Sequence, residues 1–466
     1  MHNNIGEKFT DVFKKYMPDS FVFALILTIL VSLLALLGLN KSLFEVVNSW
    51  YDGFWMLLEF GMQMTLLIIT GYSIALSPLI KKGINSITSF IKTPKQVYFF
   101  VIIIGVLLSM ISWGWIVIAA VFARELALRV KGVHYPYLIA CVYFSNNSWV
   151  TGLSSSIPLL LNTKGNYMIE GGIIPSTIST LYTLGSTLNV FMLLLYIIVT
   201  PLLMVLLIPK KNTRELKDML GDKTLQIEKT IKEEAADLKL SIKALSDSLN
   251  NNSLLPIIIV LMGGYFISYH FYKNGFDLNL NIMIFTFIIL GLLLHKTPMR
   301  YSISIKRASS NISGILFQFP FYAGIMGIMT NTGLGKSLAG LISSVATIET
   351  YPFFSYLIGG IVNFAIPSGG GEYAVIGPSV IEAVKEIGAN LSQLQVTEMI
   401  AKASLSIAYG ESLTNLLQPF YLLLVIPIMG AGIKIQARDV MGYLVIPFLI
   451  FFILQSLMVV FIPLNF

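Results

Sequence analysis

Pro367-Ser368-Gly369-Gly370-Gly371-Glu372 is a run with no helix propensity and a carboxylate, set between two arms, Tyr356 to Ile366 and Tyr373 to Val384, apolar enough for a membrane interior. Lipid offers no hydrogen bonds to bare backbone, so such a run must line a cavity within protein. A second break, Ser112-Trp113-Gly114-Trp115, sits between comparable arms in the first half. Each break precedes a stretch in which polar residues interrupt an apolar helix: SNNSWVTGLSSS from Ser145 to Ser156, and YGESLTN from Tyr409 to Asn415. Paired breaks in corresponding places outline a transporter with duplicated halves.

Hydrophobic residues make up 55% of the 466 residues and charged residues 12%, with a mean hydropathy of +0.78; a soluble chain carries about twice that charged fraction. The fold class expected is therefore an all-α polytopic membrane protein. Apolar runs approach the roughly 20 residues that cross a bilayer at Phe21 to Leu39, Phe54 to Leu76, Leu184 to Ile208, Leu254 to Phe271, Asn281 to Leu294 and Val440 to Ile462. The segment from Met1 to Ser20 has mixed charge, and no small-residue cleavage site follows the first apolar run, so that run is expected to be a retained helix. One cysteine, Cys141, rules out an intramolecular disulfide, and four scattered histidines give no metal cluster.

Treating both breaks as tips of re-entrant hairpins, with a cytoplasmic N-terminus, puts 25 of the 31 Lys and Arg residues on cytoplasmic segments, as the positive-inside rule requires. A full span at the first break would instead carry the nine basic residues between Lys210 and Lys243 outside. Only Lys434 and Arg438 report on the second break. The first half then reads as two helices, a hairpin entered from inside, a broken helix and a helix. After an extra helix at Leu254 to Phe271, the second half repeats that order with its hairpin entered from outside, which makes two inverted repeats. The expected division is an N-terminal transmembrane repeat over 1–209 with its tip near 112–115, a cytoplasmic linker over 210–253, and a C-terminal repeat over 254–466 with its tip near 367–372.

At a hairpin tip, three glycines leave N–H groups unobstructed, and a helix starting after them adds its positive dipole end, an arrangement suited to a carboxylate. Glycines alone would equally serve a tight turn or a close helix contact. In the first half, Ser112, Asn146, Asn147, Ser148, Thr151 and Ser154 to Ser156 bring hydroxyls and amides to a depth where lone polar groups are costly, so they point to substrate, to a sodium ion or to interhelical bonds. Among the intramembrane carboxylates, Glu372 beside the glycines and Glu411 within the second helix break read as proton carriers or cation ligands, and Glu59 and Glu382 as wetted and structural. No GxxxxGK, HExxH or GxSxG is present, so the chain is not expected to be an enzyme or to be driven by ATP.

The strings DGFWMLLEFGMQMTLLIITGY (Asp52 to Tyr72), LLLHKTPMRY (Leu292 to Tyr301), FQFPFYAGIMGIM (Phe317 to Met329), NFAIPSGGGEYAVIGP (Asn363 to Pro378), IAYGESLTNLLQPFY (Ile407 to Tyr421) and ARDVMGY (Ala437 to Tyr443) resemble the short-chain fatty acid transporter family of the AtoE type, within the ion transporter superfamily. The resemblance implies two inverted repeats around a central site, usually in a homodimer, and a secondary carrier of monocarboxylates such as acetoacetate or butyrate in the bacterial cytoplasmic membrane, coupled to H+ or Na+. Carboxylate carriers of that superfamily hold substrate and sodium at tips bearing Ser-Asn-Thr; here only the serines carry over. Glu372, where the family more often has an uncharged residue or His, would mark altered coupling or substrate. The substrate site is thus expected at Ser112, Trp113, Gly114, Asn147, Ser148, Ser368, Gly369, Gly370, Gly371, Glu372 and Asn415, with Trp113, Trp149 or Tyr409 against the alkyl chain. The coupling ion is expected at Asn146, Thr151, Glu411, Ser412 and Thr414, a sodium ion at Ser112, Asn147, Ser368 and Thr414. No other cofactor and no nucleic acid is expected. The rival readings are a cation/proton antiporter using Glu411 and Glu372, and a dicarboxylate or amino-acid carrier.

Overall fold

The computed structural model describes residues 20–465 apart from positions 89, 210–213, 221–228, 241–243, 276, 310–312, 365, 367, 419–421 and 431. The N-terminal Lys8, Lys14 and Lys15, Pro367 of the second tip and parts of the linker lie outside the described residues. Among those described, every regular element is a helix, and five helices are long and apolar enough to cross a membrane.

The principal helices of the first half are α1 (Ser20–Leu33), α2 (Leu43–Gly53), α3 (Leu58–Ala75), α4 (Pro78–Thr88), α5 (Pro94–Ile111), α6 (Ile116–Arg129), α7 (Tyr135–Asn146), α8 (Ser156–Leu161) and α9 (Thr187–Leu194), the last running on helically to Leu206. Those of the second half are α10 (Leu254–Asn274), α11 (Leu280–His295), α12 (Pro298–Ser309), α13 (Ser313–Asn331), α14 (Leu334–Val345), α15 (Tyr351–Val362), α16 (Gly369–Ile387), α17 (Gln393–Thr414), α18 (Leu422–Met429) and α19 (Val445–Phe461). Local chemistry sets several starts. Thr93 and Ser392 each form a capping box with the Gln three residues on, and Pro94 occupies the first turn of α5.

One order of elements occurs twice: a long helix (α3, α13), a shorter one (α4, α14), a helical pair joined by a short tip (α5–α6, α15–α16), and a helix that ends in a 3-10 turn (α7 into Asn147–Thr151, α17 into Asn415–Leu417). The pairs stand on opposite ends of the molecule. At the base of α5–α6, Arg129 donates to Thr88 (2.9 Å), on the side where the far end of α11 offers His295 to Ser73 O (2.9 Å). At the base of α15–α16, Lys385 reaches Ile173 O, on the side where the start of α11 donates from Leu280 N to Thr163 (3.2 Å). Those ends of α11 are separated by its 16 residues, about 24 Å.

Basic residues gather at the α5–α6 end. Arg124 donates to Met429 O (2.6 Å), Arg307 pairs with Glu234 (2.5 Å) and Arg214 with Asp439 (3.7 Å). The linker is docked there too, with Ile231 and Ala235 packed against Ile303. All of α7 is buried, and so is the tip-proximal part of α16; α10 by contrast is apolar on every face and largely uncovered, the signature of a lipid-facing helix.

Helices α15 and α17 approach backbone to backbone at small residues, as membrane helices do. A Cβ on Gly359 would lie 2.9 Å from Ile407 Cα. Gly359→Leu is therefore expected to force the pair apart, at a cost of about 1–3 kcal/mol or more, read as a lowered thermal midpoint in detergent; an unchanged midpoint would contradict the contact.

Two boundaries differ from the sequence reading. Gly369 to Gly371 open α16 instead of preceding it, because first-turn N–H groups lack an intrahelical partner anyway and Ser368 caps the turn. The break after Tyr409 comes later than expected, with α17 intact through Glu411 and Ser412 to Thr414.

Candidate functional site

Both tips end in one cavity. Ser112, Trp113 and Gly114 line it from the first tip and Ser368, Gly369 and Gly370 from the second. Trp149, Ser154 and Ser156 join them from the segment beyond α7, with Met64, Leu67 and Ile68 of α3 and Phe319 of α13 as apolar walls. The space within the lining, with the open solvent at its mouth included, is about 570 Å³, and among the described residues the lining has no charged side chain.

The two tip serines share an extended backbone, with φ/ψ of −153°/131° at Ser112 and −146°/108° at Ser368. Ser368 Oγ accepts from Gly371 N (3.4 Å), and Trp113 N donates to Ser154 Oγ (3.0 Å). Crowding explains the glycines: a Cβ on Gly370 would stand 2.8 Å from Phe60 Cζ, and one on Gly371 2.8 Å from Tyr322 Cδ2. The N–H groups of Gly369 and Gly370 open α16 at its positive end, where the first N–H groups of a helix lack an intrahelical partner, and are disposed for an anion.

Behind the lining, the two broken helices are tied to each other. Asn147 Nδ2 donates to Ser412 O (2.7 Å) and Ser412 Oγ donates back to Asn147 O (2.9 Å). Asn363, just before the second tip, donates to Glu411 O (2.9 Å), Thr414 Oγ1 (2.8 Å) and Asn415 Oδ1 (3.0 Å), while Asn415 Nδ2 donates to Glu411 Oε1 (3.0 Å). Tyr143 OH donates to Asn415 O (2.7 Å). Tyr409 OH donates to Asn189, which in turn bonds Thr151 O (3.0 Å).

Of the residues expected from the sequence, the structure brings Ser112, Trp113, Gly114, Ser368, Gly369, Gly370 and Trp149 together at the cavity. Asn146, Asn147, Ser148, Thr151, Ser412, Thr414 and Asn415 bond backbone groups or neighbouring side chains instead: Asn146 accepts from the Ser109 hydroxyl (3.0 Å), Ser148 donates to Val106 O (3.0 Å) and Thr151 to Ser148 O (2.7 Å). The sodium set is accordingly divided, Ser112 and Ser368 at the cavity, Asn147 and Thr414 in the network behind it. Sequence reasoning missed the walls Met64, Leu67, Ile68 and Phe319, which carry no signal separating them from lipid-facing residues. It also missed Asn363, whose signal was an amide in an apolar arm.

The same fold occurs in two solved transporters of low identity. The YdaH transporter of Alcanivorax borkumensis, described as having an unusual topology, aligns with a TM-score of 0.55 and 15% identity over 96% of this chain and 100% of its own. MtrF of Neisseria gonorrhoeae, described as illuminating a class of antimetabolite efflux pumps, aligns with a TM-score of 0.55 and 13% identity over 97% and 96%. A membrane-spanning helical fold of this kind, with tips meeting at an internal cavity, defines the class as a polytopic membrane protein. Residues 1–462 match the family described as Short chain fatty acid transporter. Provisionally assigned short-chain fatty acid transporters of Escherichia coli (strain K12) and Haemophilus influenzae are 37% identical over 448 residues and 36% over 454, each match covering 95% of this chain and 96% of the relative. The chain belongs to the short-chain fatty acid transporter family.

Proposed function

We propose that the protein is a secondary active carrier of short-chain monocarboxylates, such as butyrate or acetoacetate, across the bacterial cytoplasmic membrane, in symport with a cation. The observation that carries this reading is the convergence of two hairpin tips on a cavity with apolar walls and an uncharged lining. A small molecule with one carboxylate and a short alkyl chain matches it: the carboxylate against the Gly369 and Gly370 N–H groups and the Ser112 and Ser368 hydroxyls, the chain against Met64, Leu67, Ile68 and Phe319. With no cation among the described lining residues to grip the anion, binding stays weak enough for release.

The repeated order of elements and the hairpin bases at opposite ends support two inverted repeats that rock or slide about the cavity in alternating access. The basic end supports a cytoplasmic N-terminus and linker. Repeats over 1–209 and 254–466, a linker over 210–253 and a homodimer complete the proposal.

The test is uptake of labelled butyrate and acetoacetate into proteoliposomes under a proton gradient, a sodium gradient and neither. Accumulation under one gradient is expected; uptake of both acids no greater than in empty liposomes would refute the reading. Within it, Ser112→Ala removes one hydrogen bond to the substrate, worth about 1–2 kcal/mol, and KM is expected to rise roughly 5- to 30-fold. An unchanged KM would remove Ser112 from the site.

A further inference from the structure

Glu372 stands in the first turn of α16, one residue beyond the glycines, fully buried, and neither of its carboxylate oxygens has a hydrogen-bond partner. Buried carboxylates are otherwise paired with a cation or saturated with donors, because an ionised one stripped of water is costly. Here the electrostatic neighbour among the described residues is a second carboxylate, Glu411 on α17. Tyr167, whose buried hydroxyl has no partner, stands near Tyr373, and the other charged and titratable groups on the packed helices are occupied or distant. On α17, Lys402 is nine residues from Glu411, about 13 Å along the helix, with Glu398 farther still. Tyr322 on α13 donates to Gln318 (2.8 Å), Tyr356 on α15 to Gln455 (3.2 Å), and Lys336 on α14 lines a separate pocket with Glu382, ten residues down α16. Tyr373 on α16 itself bonds Ser404 (2.7 Å).

We propose that Glu372 is the proton site of the carrier, protonated while the second tip is closed over substrate, so that monocarboxylate and H+ move together. This rests on the reading of the cavity as a carboxylate site. A substrate anion against the Gly369 and Gly370 N–H groups lies within one helical turn of Glu372, and two negative charges so close in a dry site repel. A proton on Glu372 removes the repulsion, so anion and proton each raise the other's affinity. The proton comes from water on the side where substrate binds and returns to water on the other side, when the tip opens and the carboxylate is hydrated. One anion and one proton carry no net charge, so a pH gradient drives accumulation and a membrane potential does not.

The experiment compares wild type and Glu372→Gln in proteoliposomes, with counterflow of labelled against unlabelled butyrate and accumulation under pH, sodium and potential gradients. Wild type is expected to accumulate butyrate under the pH gradient alone, with counterflow that quickens as pH falls; the variant is expected to lose at least tenfold in accumulation and to lose the pH dependence. A variant that keeps wild-type accumulation and pH dependence, or wild-type accumulation under a sodium gradient at constant pH, overturns the proposal. If wild type shows no butyrate counterflow, the functional reading fails instead. Infrared difference spectra of the purified proteins then decide Glu372 on their own: a protonated carboxyl band in wild type that is missing in Glu372→Gln sustains the assignment, and its absence from wild type overturns it. The same spectra decide if the variant is inactive throughout.

Discussion

Gly370→Val is expected to abolish butyrate uptake, by at least a hundredfold, in a protein that still purifies as a single folded species. A Cβ at this position would meet the Phe60 ring at 2.8 and 3.0 Å, and valine adds two methyls beyond it. The bulk falls where the tip turns into α16 and where the substrate carboxylate is to sit, so it blocks the N–H groups and fixes the tip against α3. The ring of Phe60 can shift by tenths of an ångström, and for that reason the loss is one of transport before it is one of folding. Gly340→Val is the control. A Cβ there has nothing within 4 Å, and uptake should match wild type. Wild-type uptake by the Gly370 variant, with size exclusion confirming fold, would remove the second tip from the transport path.

Asn363→Leu should be the most destabilising polar replacement near the site. Its amide supplies donors to Glu411 O, Thr414 Oγ1 and Asn415 Oδ1, joining the end of α15 to the point where α17 unwinds. Leucine leaves buried acceptors without a donor, a loss of roughly 2–4 kcal/mol. The thermal midpoint in detergent should fall by several degrees, with transport falling beside it, because the break in α17 is no longer held. Exposed Asn390→Leu should leave both unchanged. An Asn363 variant as stable as wild type would mean that the two breaks are supported elsewhere.

Much of this was legible in the chain because membrane interiors punish exceptions. Ser112, Gly114 and Ser368 to Gly370 interrupt apolar arms, and no lipid-facing explanation exists for them, so their convergence on a cavity follows from the cost of bare backbone. The polar residues of the broken helices were equally conspicuous but less interpretable. Asn147 and Ser412 answer each other's carbonyls across the two halves, and composition does not separate an amide aimed at backbone from one aimed at a ligand. Met64, Leu67, Ile68 and Phe319 were illegible for the opposite reason, since an apolar residue inside a membrane protein is no exception at all. The glycines, expected just ahead of a helix, form its first turn, because the Ser368 cap and the surrounding aromatic rings outweigh weak intrinsic propensity.

Binding of short-chain monocarboxylate between the two tips can be read by chemical protection at the site itself. The native Cys141 is fully buried, so Ser368→Cys places one reactive thiol at the cavity. The rate of its modification by a water-soluble maleimide is to be measured with and without butyrate, with Lys-bearing dipeptide as a control solute. Butyrate is expected to slow modification in a saturable manner while the dipeptide does not; a rate unaffected by butyrate at any concentration would place the substrate elsewhere.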